Sequence, residues 1–138
     1  MKAPLLLDTC VVVWIVTMSD AAARARLILN AAHEAALPVY LSPFSAWELG
    51  MLAAKGRFAT TLPPRVGFAR LLALPGVELA ALTPDILISA NELPWQVHAD
   101  PADRIIIATA REYGLQVVTR DRNILDYADK GHVMALAC

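Results

Sequence analysis

Short apolar runs alternate along this chain with longer segments whose apolar positions recur at helical spacing. The short runs are 4–7, 38–41, 77–82, 115–118 and 132–136. They have strand length, and Pro, Gly, Ser or a charge bounds them. Between them the pattern predicts helices. Thr9 to Val16 is one, with Thr9 as a candidate cap. A second runs from Ser19 or Asp20 to about Ala36, where Arg24, Arg26 and Glu34 interleave with Leu27, Ile28 and Ala31. Ser42-Pro43 starts a third, which Gly56 stops after Lys55. After a loop over 57–64, Arg65 to Leu74 is a fourth, closed by Pro75-Gly76. Thr83-Pro84 starts a fifth that ends near Leu93. Strands alternating with helices imply an α/β domain with a mostly parallel sheet, right-handed crossovers and helices on both faces. Leu5–Leu7 and Val117–Val118 read as parallel strands buried on both sides.

The densest information lies in 98–121, HADPADRIIIATAREYGLQVVTRD. Asp100 is a good N-cap, Pro101 a good first helical residue, and Asp103 follows in the first turn. Ile105, Ile106, Ile107, Ala108 and Ala110 are apolar on nearly every side, so this helix is expected to be covered on two faces. Gly114 ends it, and the strand after it delivers Thr119, Arg120 and Asp121 to the carboxyl edge of the sheet. Ligands bind at that edge in open α/β folds. A last helix is read over Asn123–Asp129.

Composition narrows the class. A chain of 138 residues is read as one domain, 1–138, able to bury a substantial core. Its hydrophobic fraction is 57%, but the longest stretch without Asp, Glu, Lys or Arg is Ala35–Trp47, which two prolines interrupt. That is short of the roughly 18 residues a membrane span needs. The opening MKAPLLLDTC places an aspartate inside its apolar run, which argues against a signal peptide. Cys10 and Cys138 lack metal-like spacing, which suggests a cytoplasmic protein. The net charge of −1 does not advertise nucleic-acid binding.

Four carboxylates fit a core poorly. Asp8 ends a buried strand. Glu48 is the one charge between Pro43 and Ala54, among Phe44, Trp47, Leu49, Met51 and Leu52. Asp103 opens the apolar helix, and Asp121 ends the fourth strand. Taken singly, Asp8 reads as a turn or cap and Glu48 as part of a narrow exposed stripe with Ser45 and Ala46. Asp103 reads as a charge favoured at a helix start, and Asp121 as a cap. Together they suggest convergence. Two unit charges ~5 Å apart repel by roughly 3 kcal/mol at an effective dielectric of 20, so protonation or a cation must relieve the crowding. All-oxygen ligands suit Mg²⁺ or Mn²⁺ rather than zinc.

LLLDTC, SPFSAWELGML, HADPADRIIIATA and LQVVTRDRNILDY, in that order, resemble the PIN domain, and within it the VapC-type toxins of toxin–antitoxin pairs. The resemblance covers essentially the whole chain. It implies a three-layer fold with a five-stranded sheet ordered 3-2-1-4-5. It also implies Mg²⁺- or Mn²⁺-dependent endoribonuclease activity on RNA, a homodimer and a neutralising antitoxin. The family's acidic positions fall on Asp8, Glu48, Asp103 and Asp121, with Thr119 beside the last; Asp100 matches a further acidic position. Ala102 stands where a larger apolar residue is usual. Arg104, Lys55 and Arg57 are candidates for phosphate or RNA contacts, or for plain surface charge; Trp95 and His98 read as loop-packing and loop-bonding residues. The antitoxin's groove would be lined by 12–14 and 44–58, and the middle helices would pair the copies. A non-catalytic PIN-like binding module is the alternative of a different class. A phosphoacceptor receiver would need an acidic pair and a lysine. A haloacid-dehalogenase-like phosphatase would need an aspartate where Cys10 stands.

Overall fold

The computed structural model describes residues 2–58, 60–94 and 100–138; Trp95 and His98 lie outside them. In chain order the elements are β1 (Leu5–Leu7), α1 (Thr9–Val16), a 3-10 turn (Asp20–Ala22), α2 (Ala23–Glu34), β2 (Val39–Leu41), α3 (Pro43–Ala54) and α4 (Pro64–Leu72). They continue with β3 (Val77–Leu79), α5 (Pro84–Ser89), α6 (Pro101–Tyr113), β4 (Gln116–Thr119), α7 (Arg122–Asp129) and β5 (Met134–Ala137). The strands form one sheet in the order β3-β2-β1-β4-β5. All four junctions are parallel, so the sheet is wholly rather than mostly parallel.

Local sequence explains most boundaries. The side chains of Ser42, Thr83, Asp100 and Asp121 each accept a backbone N–H in the first turn of α3, α5, α6 and α7. Gly114 stops α6 at φ 67°, left-handed backbone that a side chain would strain. Asp8, not Thr9, caps α1. Several elements are shorter than their patterns suggest: the second helix opens as the 3-10 turn and α2 runs from Ala23 to Glu34, and α4 ends at Leu72. β3 stops at Leu79, already exposed at the sheet's edge. α5 stops at Ser89 because the next turns tighten, with Asn91 N–H bonding to Ile88 O and Glu92 N–H to Ser89 O.

The sheet separates two cores. On one face Leu5, Leu7, Leu41 and Val118 pack with Val11, Val12, Leu49 and Leu71 from α1, α3 and α4. On the other, Leu6 and Val117 pack with Ile106, Ile107 and Ala110 of α6 and with Ile124 and Tyr127 of α7. Ala108 turns toward Ile86 and Ala90 beside α5. The middle of α6 is thus covered from two sides, as its sequence implies. The packing between α1 and α4 is tight: a Cβ on Gly67 would stand 2.3 Å from Val16 Cγ1. Trp14, Phe58 and Phe68 pack against the first core. Trp47 is left 59% exposed, with Phe44 stacked on it at 5.3 Å. No helix among the described residues is long and apolar enough to cross a membrane.

Candidate active site

Parallel pairing sets the site. Leu7 lies opposite Val118, and Asp8 N–H continues the ladder to Val118 O at 3.0 Å. Asp8 and Thr119 therefore leave adjacent strands side by side at the carboxyl edge. Thr119, fully buried, donates its hydroxyl to Asp8 Oδ2 at 2.6 Å. The same hydroxyl oxygen accepts Asp121 N–H at 2.9 Å. Asp8 Oδ1 accepts Thr9 N–H at 2.8 Å, and the Cys10 thiol lies 3.5 Å from Oδ2. Asp8 is thus held through both oxygens in a buried position.

The helices bring the rest. Glu48, midway along α3, accepts the Thr9 hydroxyl at Oε1, 2.6 Å away. Thr9 Oγ1 is also 2.8 Å from Ser45 Oγ. Ser45 is fully buried, so Glu48 does not share an exposed stripe with it; the helix face that carries both turns inward. On α6, Asp100 Oδ1 accepts Asp103 N–H at 2.9 Å. Asp121 both caps α7 and faces the site. Asp8, Glu48, Asp100, Asp103 and Asp121 line one cleft of about 320 Å³, with Thr9, Cys10, Val13, Trp14, Leu52 and Ala102 completing its wall. Two larger concavities, about 710 and 540 Å³, lie elsewhere and line themselves with at most one carboxylate; chemistry, not size, singles out the smaller one.

The charges are crowded. Burial raises the Asp8 carboxyl, against the hydrogen bonds from Thr119, Cys10 and Thr9, and Asp121 pushes the same way. Burial also raises Glu48, with Asp100 and Asp8 adding to it and Thr9 opposing. Asp103 is pushed up to about 7, first by burial and then by Asp100, Asp121, Asp8 and Glu48. Burial, then Asp8, raises the Cys10 thiol, so it is no thiolate nucleophile. Among the described residues no Lys, Arg or His lies within ion-pairing distance of these carboxylates. Arg104 likewise has no ion pair there, and Lys55 and Arg57 are exposed.

The donor set fits a hard divalent cation: all oxygen, anionic and unneutralised. Among the described residues no three His, Cys, Asp or Glu side chains already stand together as ligands of one ion. Mg²⁺ asks for less, since it keeps several waters and is held through one or two carboxylates. The four carboxylates singled out from the sequence line this cleft, and Thr119 stands behind Asp8 as its hydrogen-bond donor. From the sequence Thr9 reads as a candidate cap and Ser45 as part of a narrow exposed stripe, whereas the Thr9 hydroxyl bonds both Ser45 Oγ and Glu48; Trp14, expected along the antitoxin's groove, also walls the cleft. Asp8 followed directly by a hydroxyl residue was the available signal for Thr9.

The fold and this cleft define a PIN domain: the chain belongs to that family, which it matches over residues 5–130. It is 33% identical over 119 residues to Ribonuclease VapC22 of Mycobacterium tuberculosis, a match that covers 86% of this chain and 88% of that protein. Among solved structures it resembles VapBC2 from Rickettsia felis bound to a DNA fragment from its promoter. The TM-score is 0.68 at 14% identity, covering 96% of this chain and 97% of the other. It also resembles Mycobacterium tuberculosis VapC20, a sarcin-ricin loop cleaving toxin, with a TM-score of 0.57 at 22% identity, covering 94% and 96%. These two likenesses speak for the fold.

Proposed function

We propose that this protein is a Mg²⁺- or Mn²⁺-dependent endoribonuclease, the toxin of a type II toxin–antitoxin pair. The observation that carries the reading is the set of five carboxylates around one cleft at the carboxyl edge of a PIN sheet. The kinship with a ribonuclease of the VapC group supports RNA as the substrate. Asp8, Glu48, Asp103 and Asp121 would hold the cation, directly or through water. When bound, it supplies positive charge for a phosphodiester and makes water at the site more acidic. The protein's own contribution is placement. Thr119 and the Thr9 amide fix both oxygens of Asp8, and the Asp100 cap fixes the turn that carries Asp103.

Two partners belong to this reading. A cognate antitoxin would cover the cleft and the rim beside it, where α3 leaves Trp47 exposed and stacked on the half-buried Phe44. A second copy of the chain would pair through the middle helices, where Leu87 and Ile88 of α5 are 41% and 59% exposed. Exposed apolar patches of this kind mark interfaces. The solved relatives include a toxin–antitoxin complex from Klebsiella pneumoniae, 22% identical with a TM-score of 0.59.

The decisive experiment is cleavage of RNA by the purified protein with Mg²⁺, with Mn²⁺ and with EDTA. Cleavage with either ion, abolished by EDTA and by Asp8→Asn, is expected. Intact RNA under all conditions would refute the nuclease reading and leave a non-catalytic PIN-like binding module.

A further inference from the structure

We propose that Thr9 and Ser45 form a two-hydroxyl relay that positions Glu48 for cation binding. The inference rests on the reading of the acidic cleft given above. Glu48 reaches the cleft from α3 on a side chain with three rotatable bonds, and the charges of Asp8 and Asp100 face it there. Left alone, like charge would turn it away. Among the described residues what holds it is one hydrogen bond, from Thr9 Oγ1 at 2.6 Å.

Proton accounting then fixes the direction of the chain of bonds. Thr9 has one hydroxyl proton and lies between two oxygens, Glu48 Oε1 and Ser45 Oγ. An ionised carboxylate only accepts. Thr9 therefore donates to Glu48, and Ser45 donates to Thr9. A hydroxyl that accepts one bond donates a stronger one, so Ser45 tightens the grip on Glu48 without touching it. Ser45 is fully buried, three residues before Glu48 and on the same face of α3.

Thr9 also joins two carboxylates through different atoms. Its amide holds Asp8 Oδ1 at 2.8 Å while its hydroxyl holds Glu48 Oε1. The first residue of α1 thus couples a strand-end carboxylate to one from another helix. Among the described residues Glu48 Oε2 accepts no hydrogen bond. One oxygen is anchored and the other is left for a ligand. Thr9 and Ser45 are positioning residues in this scheme.

The test is Mn²⁺ binding by calorimetry to the full chain, compared across Thr9→Val, Thr9→Ser, Ser45→Ala and the double variant Thr9→Val/Ser45→Ala. Melting without metal identifies any variant that fails to fold. Loss of a group that orients a metal ligand costs roughly 10–100-fold in affinity, so Thr9→Val should bind about tenfold or more weakly. Thr9→Ser, which keeps the hydroxyl, should restore binding. Ser45→Ala should weaken it several-fold, and the double variant should bind no worse than Thr9→Val, because Ser45 acts through Thr9. Unchanged affinity in Ser45→Ala, or single effects that multiply in the double variant, would overturn the relay. Should Thr9→Val not fold, Ser45→Ala alone still decides. Wild-type protein that binds no Mn²⁺ would overturn the reading of the cleft with it; wild-type binding with unmoved variants removes the relay alone.

Discussion

Replacing Asp103 with asparagine should stabilise the metal-free protein near pH 8 and leave it unchanged near pH 4. The Asp103 carboxyl is lifted from its ordinary 3.8 to about 7 by burial and by four neighbouring carboxylates. At about 1.4 kcal/mol per pH unit, that lift would be worth ~4 kcal/mol unscreened. The side chain is only partly buried, so solvent screening brings it to about 1–2 kcal/mol. Opposing it, Asp103 stands in the first turn of α6, where negative charge is favoured by ~0.3–1 kcal/mol. Repulsion and burial still win, by about 1 kcal/mol.

The sign follows from proton binding. Between about pH 4 and 7 the folded protein keeps the Asp103 proton that the unfolded chain has lost. Stability therefore falls as pH rises through that window, and the full penalty stands above it. Asparagine removes the penalty, so its advantage should grow across the same window and level off. In a chain of this size ~1 kcal/mol is roughly 3–5 °C in melting temperature. Thermal unfolding in EDTA from pH 4 to 8 measures it. Adding Mn²⁺ should reverse the order, because an ion that displaces the proton stabilises the wild type by mass action and the variant less. An asparagine variant that melts below the wild type near pH 8 in EDTA, or one whose gain is equal at both ends of the range, would refute the reasoning.

Gly67→Ala should cost about 1–3 kcal/mol by overpacking against Val16; denaturant unfolding should show most of it recovered when Val16→Ala is added. Thr119→Val removes a buried donor to a carboxylate and should cost about 1.5–3 kcal/mol, so a variant as stable as the wild type would contradict the account of Asp8. Ile88→Glu, placing a charge on exposed α5, should convert a dimer at tens of micromolar to a monomer with unchanged circular dichroism. A wild type already monomeric by light scattering there would remove the dimer.

Much of the fold is legible in the sequence because its punctuation is local. Ser42-Pro43, Thr83-Pro84 and Asp100-Pro101 each combine a capping oxygen with a residue that suits a helix start, and the structure begins helices at all three. Strand order is different in kind. Nothing within Leu5–Leu7 says that it pairs with both Val39 and Gln116; only the family resemblance carried that. The carboxylates were legible because a charge is conspicuous at the end of an apolar run or inside one. Ser45 was not, since a serine beside Phe44 and Ala46 looks alike whether it faces water or Thr9. The tryptophans show the same limit: Trp14 and Trp47 both sit on apolar helices, and only the packing of α1 decides that the first is partly covered, with Arg120 over its ring.

Asp8, Asp100 and Asp121 each cap a helix as well as lining the cleft. Folding thus has its own claim on them, about 1 kcal/mol per cap, which asparagine meets nearly as well as aspartate and alanine does not. Selection for folding alone would preserve Asp or Asn at these three positions in a descendant that had ceased to cleave anything. Glu48 and Asp103 cap nothing, and in such a lineage they would be the first to drift. A working PIN nuclease of this kind is therefore told from a retired one by the two carboxylates that cap no helix, not by the three that also start helices.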